Sequence, residues 1–107
     1  MTSEVLNKIL AELRIGLVEI LGDRLEAVYL FGSQARGDAR ADSDIDVLVV
    51  MRDEFNYREV SIQTLDLSAE LSLQYEVVIA RVFVTSQRLK EEQSPFFVHV
   101  RREAVLI

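Results

Sequence analysis

Two short stretches of this 107-residue chain hold the residue types and spacing that could do chemistry. They are Phe31-Gly32-Ser33-Gln34-Ala35-Arg36-Gly37 and Asp42-Ser43-Asp44-Ile45-Asp46. Gly32 and Gly37 have the G-x-x-x-x-G spacing of a P-loop, but Asp38-Ala39 stand where Lys and Ser/Thr should follow, and an aspartate there repels phosphate. No G-x-G-x-x-G is present, so a dinucleotide fingerprint is excluded as well. What remains is a Gly-Ser turn at the end of a strand and two aspartates at i and i+2 entering another. Residues two apart on a strand share a face, which places the Asp44 and Asp46 carboxylates on one side, with Cα atoms about 6.5–7 Å apart. Two hard oxygen ligands at that spacing suit Mg²⁺ that keeps waters and takes substrate phosphates. Without a cation the two charges raise each other's pKa, and no Lys or Arg lies among positions 42–50 to neutralise them. Gly32 lets backbone approach a phosphate closely, and Ser33 offers a hydroxyl and an N–H where a helix opens. A metal-held carboxylate pair beside a phosphate-cradling turn is the equipment of nucleotidyl transfer.

The elements that must position these groups are legible around them. Residues 3–22 carry Leu6, Ile9, Leu10, Leu13, Leu17, Ile20 and Leu21 at helical spacing, with Ser3 as N-cap and Gly22 as stop. Residues 25–31 read as a buried strand running into Gly32, and 45–51 as a second, the most apolar run of the chain. A helical period returns over 56–75 through Tyr57, Val60, Thr64, Leu67 and Leu71, and residues 77–84 form a third strand. Thr85 or Ser86 caps a short helix reaching Glu92. Ser94-Pro95 opens a last helix over 96–103, and the final AVLI closes as an edge strand. Strands alternating with helices predict an α/β (α+β) domain, a small mixed sheet of three to five strands flanked by helices, spanning residues 1–107 as one unit.

Composition excludes other classes. Twelve Lys+Arg against 18 Asp+Glu give a net charge of −6, a poor basis for general DNA or RNA binding. The absence of cysteine removes disulfides and thiol catalysis. No stretch has the length and apolarity of a membrane span and no signal peptide is apparent, so a cytoplasmic location is expected. His99, the single histidine, reads as structural or exposed. Tyr29 and Phe31 read as core, Phe96 and Phe97 as packing for the last helix with one of the two available to a partner, and Arg101-Arg102 as charge at a helix C-terminus.

The spacing Gly32-Ser33, ten residues, Asp44-x-Asp46 resembles the G-S-x10-D-x-D signature of minimal nucleotidyltransferase (MNT) domains of the DNA polymerase β superfamily. GSQARG…DSDIDVLVV also follows the fuller pattern GSxARGxxxxxSDxDLxV. The resemblance implies that Gly32, Ser33 and Arg36 bind the nucleoside triphosphate and that Asp44 and Asp46 are catalytic and hold Mg²⁺. Arg36 could alternatively tie the turn to a nearby carboxylate. The superfamily's third carboxylate, on a later strand, has one candidate here, Glu76, at that strand's entry. Alignment on Thr85 instead puts Val82 at the place, in which case no acid serves. Small MNT proteins resemble the antitoxins of HEPN/MNT pairs, which implies transfer of AMP from ATP to a tyrosine of a HEPN toxin. A non-catalytic antitoxin with a degenerate nucleotide site is the alternative. The chain shows a catalytic half-site and no acceptor domain, so another copy or another protein is expected to complete the pocket.

Overall fold

The computed structural model describes residues 1–40 and 44–107. Asp42 and Ser43, part of the sequence pattern, lie outside the described residues. The chain runs α1 (Ser3–Leu21), β1 (Leu25–Phe31), α2 (Gly32–Arg36), β2 (Ile45–Met51), α3 (Tyr57–Tyr75), β3 (Ile79–Thr85), α4 (Ser86–Glu91), α5 (Pro95–Glu103) and β4 (Val105–Leu106). The described strands form one sheet in the order β3-β2-β1-β4. β1 is antiparallel to both β2 and β4, whereas β2 and β3 are parallel and joined through α3. The sheet is therefore mixed, as expected.

β2 is central because it can be buried on both faces. Ile45, Val47, Val49 and Met51 point to one side, where Ile9, Leu13 and Leu17 of α1 and Val60 and Leu71 of α3 close the main core. α1 and α3 approach closely at Gly16, where a Cβ would stand 2.5 Å from a methyl of Leu67. Tyr75 on α3 donates its hydroxyl to Glu12 of α1 at 2.6 Å and braces the same pair. Leu48 and Val50 point to the other side and meet Val84, Phe97 and Val100, with Leu89 packed against them.

Several boundaries differ from the expectation for local reasons. Thr2, not Ser3, caps α1, its hydroxyl accepting the Val5 N–H at 3.1 Å. Ile20 lies off the buried stripe and is exposed. β3 begins at Ile79 rather than Val77, because the Val77 N–H is used to close α3 on the Ser72 carbonyl. Glu76 falls in the left-handed cap of α3 at φ 53° and is not a strand residue. Asn56 caps α3 and Thr85 caps α4 through their side chains.

Candidate active site

β1 ends at Phe31 and the chain turns at once into α2, with Gly32 at φ 74°. That backbone is left-handed, and no side chain caps the helix it opens. A second reason for glycine is spatial. A Cβ at position 32 would collide with Oδ2 of Asp46 and stand 3.3 Å from its Cγ. The turn and the carboxylate are thus in direct contact, although fourteen positions separate them in the sequence. Register explains it: Phe31 is paired with Asp46 across the β1–β2 ladder, so Gly32 begins where Asp46 projects.

Asp46 shares its face with its cross-strand partners Phe31 and Ala80. Asp44, two residues earlier, is exposed just ahead of β2, and Asp46 is half-buried. Burial pushes the Asp46 carboxyl above its ordinary value, the nearby Asp44 charge pushes it further, and Arg36 opposes both. Neither aspartate forms an ion pair with any described residue. The pair is a concentrated negative site whose charge is only partly offset by a neighbouring cation.

Arg36 is that cation. It precedes the aspartates by eight and ten positions and is committed elsewhere: Nε meets Asp38 at 3.2 Å and Nη1 meets Glu103 of α5 at 3.2 Å. These contacts raise its pKa, the Asp38 hydrogen bond most. The turn is therefore fastened to the last helix by a contact spanning 67 residues, for which no local sequence signal exists. Ser33 is half-buried in the first turn of α2, and its carbonyl accepts the N–H groups of Gly37 and Asp38 at 3.0 and 3.2 Å.

The β3 residues nearest the aspartates are apolar. Ala80 stands beside Asp46 on β3 and Val82 beside Leu48. Glu76 lies at the helix cap and joins neither aspartate; among the described residues no group of three His, Cys, Asp or Glu comes together. His99 is exposed on α5. Among the described residues no helix is long and apolar enough to cross a membrane.

Residues 17–106 match the family model described as "Polymerase beta, Nucleotidyltransferase". The chain belongs to the polymerase β nucleotidyltransferase family. Two proteins of Methanocaldococcus jannaschii, each carrying the name putative protein adenylyltransferase, are similar to this nucleotidyltransferase. One is 33% identical over 70% of this chain and 75% of its own length. The other is 38% identical over 71% of this chain and 69% of its own. The fold is shared with a toxin–antitoxin crystallised with AMP-PNP, at TM-score 0.60 and 22% identity, covering 88% of this chain and 68% of that one. It is shared too with a nucleotidyltransferase structure from Sulfolobus solfataricus, at TM-score 0.53 and 23% identity over 96% of this chain and 76% of that one.

Proposed function

We propose that this nucleotidyltransferase transfers AMP from ATP to a protein hydroxyl, a tyrosine of a HEPN-type toxin, and acts as the antitoxin of that pair. The observation that carries the reading is the contact between Gly32 and Asp46, which joins a turn without a Cβ to a carboxylate pair that has no ion-pair partner among the described residues. The names of the Methanocaldococcus relatives and the fold likeness to a toxin–antitoxin support the acceptor class.

The donor set fits a divalent cation of the Mg²⁺ type. Asp44 and Asp46 offer hard oxygens, and the upward push on Asp46 comes partly from the like charge that a cation would neutralise. Two carboxylates leave the remaining coordination to water and phosphate oxygens, the usual manner in which Mg²⁺ is held. When bound, the metal supplies charge stabilisation to the attacking and leaving oxygens. The chain's own residues do the positioning. Gly32 and Ser33 present backbone to the triphosphate, Asp44 and Asp46 fix the metal face, and Arg36 partly offsets the carboxylates while Glu103 holds it in place. The acceptor oxygen bonds to the α-phosphorus, the bond from that phosphorus to the bridging oxygen breaks, and pyrophosphate leaves with the electron pair. The hydroxyl proton passes to water or to a group brought by the acceptor.

One observation favours a second reading, a binding antitoxin without catalysis: Glu76 lies at the cap of α3, and the β3 residues paired with Asp46 and Leu48 are Ala80 and Val82, which carry no acid. Mass spectrometry of the chain co-expressed with its toxin separates the two. Added AMP units on the toxin, lost with Asp44→Asn/Asp46→Asn, support transfer. A tight complex of unmodified mass that still neutralises with both aspartates replaced supports the binding antitoxin.

A further inference from the structure

Beside the site, across the free edge of β3, lies an aromatic cleft of about 310 Å³. β3 is the terminal strand on that side of the sheet, so one row of its peptide groups faces away from β2 with no strand beside it. The cleft straddles that edge, because its floor takes Val82 and Val84 from one face of β3 and Phe83 from the other. Its walls are rings. Tyr57, the first residue of α3, meets Phe83 edge-on with centroids 5.3 Å apart, and Phe96 of α5 meets Phe97 edge-on at 5.2 Å. Tyr57 is 50% exposed and Phe96 40% exposed. Two large rings left open to solvent on either side of one cleft form a stacking site.

One ring, Phe96, links the cleft to the carboxylate face. Phe96 also meets Phe31 edge-on at 5.8 Å, and Phe31 is the residue paired with Asp46 and followed by Gly32. Phe96 therefore reaches from the β1 side of the sheet to Val82 on β3, over the strand that carries Asp46. Val82 lies two residues beyond Ala80, the partner of Asp46. Strand rise and spacing place it about 8 Å from Asp46. A ribose spans such an interval between a phosphate held at the carboxylates and a ring seated at the cleft.

We propose that the cleft between Tyr57 and Phe96 is the nucleobase subsite, where the base of the triphosphate stacks on these rings. This deepens the nucleotidyl-transfer reading and rests on it. Stacking on aromatic rings is tolerant of base identity, and discrimination falls to the unpaired peptide groups of β3, whose N–H and C=O can face the polar edge of a base. Apolar Val82 and Val84 line the floor, and Arg88 adds a cation at the rim, its guanidinium 5.2 Å from the Phe97 ring.

The test is calorimetric titration of the intact chain with Mg·ATP and, separately, with Mg·tripolyphosphate, which has the phosphates and no base. Phe96→Ala and Tyr57→Ala should each weaken Mg·ATP about tenfold and leave Mg·tripolyphosphate within about twofold. Phe96→Trp should retain ATP affinity. Equal weakening of both ligands would make the rings structural supports of the turn and overturn the subsite. Unchanged ATP affinity in both alanine variants would put the base elsewhere and overturn it too. Failure of the unaltered chain to bind either ligand would overturn the nucleotide reading along with the subsite, an outcome distinct from the other two.

Discussion

The two faces of the sheet are built to opposite ends, although one strand supplies both. Val47 and Val49 of β2 are fully buried beneath α1 and α3, in an apolar core whose neighbouring cation, Arg81 of β3, is tied to the Ser61 carbonyl and the Thr64 hydroxyl of α3. Asp46 and Leu48, alternating with them, look to a face that α4 and α5 cover only in part. There a half-buried carboxylate, an exposed phenylalanine and a glycine without a permissible side chain adjoin. The period of two along a strand makes this division possible, because whatever fixes Ile45 and Val47 also fixes Asp46 between them. A site with self-repelling charge is held by a backbone whose stability comes from the other side.

That division has a severe test on the stable face. Leu17 is fully buried between α1 and the sheet, and Leu17→Ala should cost about 2–5 kcal/mol, read from urea denaturation. Triphosphate affinity of the protein that remains folded should stay within about twofold. A parallel fall in affinity would show that the faces are not independent.

On the other face the largest effect should come from Gly32→Val. Its branched side chain must enter space held by the Asp46 carboxylate, from a backbone at φ 74°. A left-handed β-branched residue is strained by itself, by roughly 1–3 kcal/mol. Nucleotide binding should be abolished in calorimetry while the far-UV circular dichroism remains native. Binding equal to that of the unaltered chain would remove the turn from the site.

Asp44→Asn/Asp46→Asn should act in the reverse sense on stability. The Asp46 pKa is raised in the folded protein, by burial first and by Asp44 second. A raised acid contributes fully to folding below its unfolded pKa and loses that contribution as the pH rises through its folded value. At neutral pH the ionised pair therefore destabilises the metal-free protein, and its neutral isostere should melt higher. Mg²⁺ or Mn²⁺ should raise the melting temperature of the unaltered chain and leave the variant unmoved. Equal shifts in both proteins would dissociate the metal from these carboxylates. Binding should also weaken as the pH falls through the raised Asp46 value, since the ligand is the deprotonated form.

The contrast between faces also separates what was legible in the sequence from what was not. β1 and β2 match their expected bounds, because apolar runs end abruptly there, at Gly32 and at the polar stretch before Ile45. Strand periodicity alone puts Asp44 and Asp46 together; Asp46 lies on β2 and Asp44 just ahead of it, near enough for its charge to raise the Asp46 pKa. The buried stripe of α3 was less plain: Val60, Thr64 and Leu71 are buried as their spacing implies, but Ser68 is buried as well and Tyr57 is half exposed, its ring turned toward β3. Glu76 in a left-handed cap gave no warning, as glycine or asparagine is the usual occupant. The contact of Gly32 with Asp46, the reach of Arg36 to Glu103 and the cleft between Tyr57 and Phe96 depend on register and on helices distant in sequence. Local patterning cannot encode them. The expectation that one of Phe96 and Phe97 stays open was correct, with Phe97 buried and Phe96 exposed.

The smallest effect expected is at Arg36, where the sequence left two roles open. Its guanidinium is exposed and shared between Asp38 and Glu103, so its loss should hardly alter stability, as is usual for surface ion pairs. Its charge nevertheless holds the Asp46 carboxyl below where burial and Asp44 would otherwise place it. Arg36→Met should therefore raise the Asp46 pKa further, observed as an upward displacement of its carboxyl ¹³C titration. The pH midpoint of Mn²⁺ binding should move the same way, because a proton then competes more strongly for the ligand. Glu103→Gln makes the comparison sharper, since it releases the brace to α5 and keeps the cation. If Arg36 serves as a brace, Glu103→Gln should weaken triphosphate binding by loosening α2. If it serves as a phosphate ligand, removing its competitor should tighten binding. The geometry, with both carboxylates at 3.2 Å, favours the brace, and a modest loss of affinity in Glu103→Gln is the expected result.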